Sequence, residues 1–181
     1  FEIGARDDAK TNTIVENCVA RGCERGYLIG SHTIVRRCRG DITHGPLLYL
    51  RGGLDSDVEL ELTGDPPESL VHVVATIAGA NHKVRLSAQQ SFKPFPSLPV
   101  LFGFGMPQHA EMSSVPEPAA ARNIDLVSQI GFAPVISSDQ VTDSKIETTG
   151  RRFQDAEFRK DPGSWGLPAN GVADGQPSKK Q

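Results

Sequence analysis

The sequence predicts an all-β fold: a solenoid of stacked parallel strands in about five to six coils, followed by an irregular C-terminal tail. Three observations point there. Short strand-like patterns return roughly every 20 to 26 residues and carry like residues at like places. Each is followed by a second apolar run, with turn residues between the two. The 181-residue chain is also rich in Gly (18) and Pro (13) and only 6% aromatic, which suits many turns and short strands better than a helix bundle.

The clearest copies are "NTIVENC" at 12–18 and "HTIVRRC" at 32–38. Taking Val15 and Val35 as inward aliphatic positions, the same kind of position recurs at Leu60 in "DVELEL", Leu86 in "KVRLSA" and Leu126 in "NIDLVS", with a weaker copy, "KIETTG", around Ile146. The partner two residues earlier is Thr13, Thr33, Val58, Val84 or Ile124. The second runs are "YLIG" (27–30), "LLYL" (47–50), "LVHVV" (70–74), "VLFGF" (100–104) and "PVIS" (134–137). No unit contains an amphipathic helical stretch of ten or more residues. An antiparallel sandwich or barrel is the competing reading. The solenoid is favoured because no Asn-Gly or Asp-Gly loop joins a strand pair and because like residues recur with like.

Stacked coils place equivalent side chains about 4.8 Å apart, so Val15 is expected beside Val35 and Cys18 beside Cys38. The two cysteines then read as a ladder of buried small hydrophobes; a disulfide between them, or a reactive thiol, stays open. The long stretch 89–121 interrupts the repeat, and 159–181, with Trp165, reads as a tail lying along the coils or disordered. Residues 1–158 form the coils. The formal net charge of -3 leaves no basic footprint for nucleic acid. No apolar run reaches the roughly 18 residues of a membrane span, and Cys18, Cys23 and Cys38 lack the ligand spacing of a zinc site.

"NTIVENCVARG" resembles a coil of the right-handed parallel β-helix of the pectate-lyase-like superfamily: a polar residue, two inward aliphatics, then Asn-Cys at a bend. "HTIVRRC" matches except that Arg37 stands where the bend Asn would be, and later copies keep only the aliphatics. The resemblance covers most of residues 10 to 155, and it implies the C-terminal coils of such a fold. It further implies a secreted or periplasmic protein acting on an extracellular polysaccharide, as a lyase, a glycoside hydrolase or an epimerase. The alternative is a non-catalytic adhesive or structural solenoid, such as a phage tail fibre or surface protein, which would form a homo-trimer. Because nothing before residue 10 reads as a cap, upstream coils or a partner subunit are expected at the N-terminal end.

Candidate residues follow from charge and position. Asp41 and His44 in "CRGDITHGP", with Asp125 and Asp139, are candidates for acid–base catalysis. Arg36 and Arg85 could meet sugar carboxylates, with Phe102, Phe104 and His109 in a binding wall raised by the long insertion, where Phe92 and Phe95 also lie. Asp55, Asp57 and Glu59 in "LDSDVELE" make calcium a candidate cofactor, since that ion takes oxygen ligands. The plainer reading of the strand charges, Glu16 beside Arg36 and Glu59 near Arg85, is cross-strand ion pairing. His72 reads as a member of a surface ladder.

Overall fold

The computed structural model describes residues 2–3, 12–64, 73–89, 98–105, 116–158 and 160. His72, Phe92, Phe95, His109, Trp165 and the 159–181 tail apart from Lys160 lie outside them. The described chain is built from parallel strands in two sheets, an arrangement compatible with a β-helix or solenoid.

The strands alternate between the sheets. β1 (Glu2–Ile3) belongs to sheet 1, and β2 (Thr13–Glu16) and β3 (Val19–Ala20) to sheet 2. β4 (Tyr27–Ile29) returns to sheet 1, followed by β5 (Thr33–Gly40) in sheet 2, β6 (Leu48–Leu54) in sheet 1 and β7 (Asp57–Leu62) in sheet 2. β8 (Ala75–Ala80) and β9 (Lys83–Ala88) repeat the alternation. β10 (Val100–Phe102) and β11 (Ala121–Arg122) lie in sheet 1, β12 (Asp125–Gln129) in sheet 2, β13 (Val135–Ser137) and β14 (Val141–Thr142) in sheet 1, and β15 (Lys145–Thr148) in sheet 2. β16 (Arg152–Gln154) ends sheet 1 and runs into one turn of helix, α1 (Asp155–Phe158), whose Glu157 carboxylate accepts the Gln154 N–H at 3.1 Å.

The two sheets differ in what covers them, and the sequence carries the difference. Sheet 2 has one face in the core and one outward, so β7 reads Asp-Val-Glu-Leu-Glu-Leu with Val58, Leu60 and Leu62 buried and Glu59 exposed. The central strands of sheet 1 are buried on both faces. Tyr27, Ile29, Leu48, Ile77, Val100 and Val135 enter the main core, while Leu101 and Ile136 on the opposite face form a second cluster with Val73 and Phe104. A strand buried on both sides needs apolar residues throughout, which is why its segments read "YLI" and "VLF" without alternation.

Register confirms the first repeat and corrects later copies. Thr13, Ile14, Val15 and Glu16 pair with Thr33, Ile34, Val35 and Arg36. The Val35 column continues through Val58, Val84, Leu126 and Ile146, whereas Leu60 and Leu86 stack on Cys38 instead. The cause is a bulge: β5 takes three steps from Val35 to Cys38 where β7 takes two from Val58 to Leu60, and Arg37 sits at φ 52. The second run expected at 70–74 is also displaced. The strand is Ala75–Ala80, with Ala75 opposite Leu48, and Val73 and Val74 are buried just before it. "ATIAGA" carries little hydrophobic signal because the space is narrow. Gly79, at φ +107, leaves no room for a Cβ, which would stand 2.5 Å from His82 Nε2.

From β4 onward, each passage from sheet 1 to sheet 2 turns on one left-handed residue. His32, Asp55, Asn81, Asn123 and Asp143 have φ between 49° and 58°. Asn and Asp tolerate this conformation better than other non-glycine residues. Their side chains also stack: Asn123 Nδ2 donates to Asn81 Oδ1 at 2.9 Å, and Asn81 Nδ2 donates to Asp55 Oδ1 at 3.0 Å. The following residue turns inward and serves the neighbouring backbone. Thr33 N–H donates to Ser56 Oγ (3.1 Å), Ser56 N–H to His82 Nδ1 (3.1 Å) and Ile124 N–H to Ser144 Oγ (3.0 Å). Asn81→Ala keeps the strained bend and loses both ladder bonds, so it should destabilise the fold by about 1–2 kcal/mol. Asn81→Gly, which relieves the strain, should cost less; denaturant midpoints of the two variants check the order.

Candidate functional site

The bulge that shifts the register also shapes the outer face of sheet 2. It leaves both Arg36 and Arg37 exposed on β5. A hollow of about 450 Å³ lies beside it, lined by Asn17, Arg37, Arg39, Glu59, Glu61 and Ser87. A second, of about 420 Å³, lies at the C-terminal ends of the same strands and is lined by Arg21, Arg39, Asp41, Thr43, Thr63 and Gln89. Arg39 lines both, with Arg37, Glu59 and Glu61 in the first hollow and Arg21 and Asp41 in the second.

Local bonds hold parts of this surface in place. Arg37 Nε donates to Asn17 Oδ1 at 3.0 Å, and its Nη2 lies 3.2 Å from Glu16 Oε2. The ion pair expected between Glu16 and Arg36 is therefore made by Arg37: the bulge rotates the next residue into reach. Asp41 accepts the Gly22 N–H on both oxygens at 3.1 Å and the Thr43 N–H at 3.3 Å. That carboxylate ties the loop after β3 to the loop after β5.

The candidate acids and bases do not converge. Asp41 lines the second hollow, and His44 is exposed in the loop that follows it. Asp125 stands on β12, 3.9 Å from Arg85, and Asp139 is exposed at the bend between β13 and β14. Arg36 and Arg85 are exposed on sheet 2, Arg85 in register with Glu59 as expected. Phe102 and Phe104 are fully buried in the two core clusters, so their rings offer no stacking face to a ligand. His109 lies outside the described residues.

The acidic run resolves into separate duties. Asp55 is a bend residue bonded to Asn81, 3.7 Å from His32 Nδ1. Asp57 and Glu59 share the outer face of β7, and across the strands their columns mix signs: Asp57, Lys83, Asp125, Lys145 in one, Glu59 beside Arg85 in the other. Cations next to each carboxylate work against calcium at this row. Among the described residues, no group of three His, Cys, Asp or Glu side chains is arranged to hold a metal. No described helix is long and apolar enough to cross a membrane.

Arg37, Arg39 and Arg21 were not singled out by aligning the repeat on its valines. The valine and cysteine pairs share one offset, which puts Val19 opposite Arg39; what marks Arg39 is its register with Glu61 on the next strand, which the bulge hides from an alignment of apolar positions. No protein-family model matches this chain, and no curated protein matches its sequence.

A buried titratable group, His82, lies at the bend between β8 and β9. His82 is 1% exposed, its Nδ1 accepts the Ser56 N–H, and Nε2 has no hydrogen-bond partner of proper geometry among the described residues. Burial pushes its pKa down to about 4, with the nearby Gly53 backbone and the Asp55 carboxylate offsetting only part of the effect. The folded pKa lies below the unfolded value of 6.5, so the unfolded chain binds the proton more tightly. The stability contributed by neutral His82 is complete above that value and is lost as pH falls toward 4, a change of about 3 kcal/mol. Urea midpoints at pH 7 and pH 4 should differ less in His82→Gln than in the unaltered chain; equal differences would exclude this source of acid sensitivity.

Proposed function

We propose that the protein is a right-handed parallel β-helix of the pectate-lyase-like kind, with five to six coils, and that it acts on an acidic extracellular polysaccharide along the outer face of sheet 2. The observation that carries this reading is the pair of hollows meeting at Arg39. An extended polyanionic sugar chain needs a shallow, elongated, cationic seat, and planar guanidinium groups match its carboxylates in a bidentate way. The same depression supplies acid–base groups. Glu59 and Glu61 are two residues apart on one strand face and line the same hollow, as a pair of carboxyl groups serving glycoside hydrolysis would. A lyase or epimerase would draw on the same carboxylates and arginines. A secreted or periplasmic location belongs to this reading.

A non-catalytic solenoid, an adhesive or fibre protein assembling as a homo-trimer, is the second reading. It is favoured by the mutual pairing of surface charges, Arg37 with Glu16 and Arg85 with Asp125, which leaves those groups serving the coil stack. Incubating the chain with polygalacturonate, alginate and neutral glucans separates the two, with unsaturated products and reducing ends as readouts. For the enzyme, Arg39→Ala should weaken polyuronate binding about tenfold with a reduced salt dependence, and Glu61→Gln should abolish turnover while binding persists. Lack of turnover and of binding on every polymer, with a trimeric mass in size exclusion, would favour the fibre.

A further inference from the structure

Two thiols meet at the boundary between the first two coils of sheet 2. Cys18 immediately precedes β3, and Cys38 lies in β5. The residues that follow them, Val19 and Arg39, are register partners, and the Arg39 N–H donates to the Cys18 carbonyl at 3.0 Å. The cysteines therefore stand opposite one another on adjacent parallel strands, about 4.8 Å apart along the stack. That lies within the roughly 4.4–6.8 Å that a disulfide spans between Cα atoms. Both side chains belong to the same core cluster, Cys38 buried and Cys18 half-buried. Cys38 Sγ is 3.4 Å from the Cys18 amide nitrogen.

Both side chains are free thiols; Cys38 Sγ accepts the Cys18 N–H, and each thiol also donates a weak S–H bond. Cys18 donates to the Glu16 carbonyl at 3.5 Å and Cys38 to the Arg36 carbonyl at 3.3 Å. Opposed side chains on neighbouring strands have Cβ atoms about 4.5–5.5 Å apart, and a disulfide asks for about 3.5–4.5 Å. The strands must therefore close by up to about 1 Å. β3 can supply that movement, since it is two residues long and pairs only with β5 among the described strands. Cys23 sits off this strand pair, its thiol directed to the Arg21 carbonyl at 3.4 Å.

We propose that Cys18 and Cys38 form a reversible redox staple, closing to an intramolecular disulfide when the protein meets an oxidising low-molecular-weight disulfide such as oxidised glutathione. The half-buried Cys18 thiolate attacks one glutathione sulfur and expels one glutathione. Cys38 gives up its proton and attacks the Cys18 sulfur of the mixed disulfide, expelling the second. Two S–H bonds become one S–S bond, and two electrons and two protons leave in two molecules of reduced glutathione. The staple closes a loop between cysteines 20 residues apart. It fastens the coil that needs it: β2 alternates half-buried and exposed positions, and Ile14 is 63% exposed. It also fixes the backbone on both sides of Cys38, which presents Arg37 and Arg39, and it does so whatever the hollows bind.

The full chain is equilibrated with reduced or oxidised glutathione and compared by intact mass, peptide mapping and thermal melting. Oxidation should remove about 2 Da, link the peptides containing Cys18 and Cys38, and raise the melting midpoint by about 6 to 12 °C. Cys23→Ser should keep the rise, whereas Cys18→Ser and Cys38→Ser should lose it. Two alkylatable thiols at Cys18 and Cys38 after oxidation, a mixed disulfide that never resolves, a linkage to Cys23, or an unchanged midpoint would each overturn the staple.

Discussion

The structure rests on one constraint: inside each sheet, a parallel strand is hydrogen-bonded to the equivalent strand before it in the chain and to the equivalent strand after it. A chain so bonded cannot choose its side chains one position at a time. Whatever occupies a place in one coil lies against the residue at the same place in the next, about 4.8 Å away. Bends therefore stack on bends, which is why His32, Asp55, Asn81, Asn123 and Asp143 share one backbone conformation. At three of these bends the next residue accepts a neighbouring backbone N–H. Ser56 and Ser144 do so with a hydroxyl, and His82 with an imidazole nitrogen at the expense of a buried, undersatisfied ring.

The same constraint explains what the surface charges do. On an exposed face, a stacked column of one sign would repel itself at every rung. Sheet 2 avoids this by alternating, as from Asp57 to Lys83 to Asp125 to Lys145. Each exposed pair is worth at most about 1 kcal/mol. Arg39 keeps to the pattern, in register with Glu61 on β7. Arg21, in the loop after β3, lies outside the columns and lines the hollow beside Asp41.

How much of this was legible follows from how each feature is encoded. The match of Val15 with Val35 was readable because both coils repeat the same residues in the same frame. The later columns slipped because a bulge shifts register without changing the apolar alternation; a valine-to-leucine alignment two residues out looks as good as the correct one. Ala75–Ala80 was missed because strands pressed between two packed layers can consist of alanine, threonine and glycine, residues with little apolar weight. The bends were encoded more plainly than the strands, as Asp55-Ser56, Asn81-His82, Asn123-Ile124 and Asp143-Ser144. β16 has a single apolar residue, Phe153, and gave no signal. Of the candidate site, Asp41 and Glu59 were recognised. Arg37 and Arg39 were not, because residues that matter through a bulge sit where the repeat is least regular. Buried Phe102 and Phe104 looked like insertion aromatics only because the chain leaves sheet 1 immediately after them.

That departure point has a wider meaning. The chain exits after Phe102 and rejoins at Ala121, and the two sides of the gap are knitted together. Gly103 N–H donates to the Ile77 carbonyl, Ala119 N–H donates to the Gly103 carbonyl, and Gly79 N–H donates to the Ala120 carbonyl, each at 2.8 Å. The excursion is thus tied at its neck by backbone hydrogen bonds. The entropy of closing such a neck grows only with the logarithm of the length enclosed. A change in the length of the excursion therefore costs the paired strands at the neck little, so the segment is a natural place for divergence between otherwise similar chains.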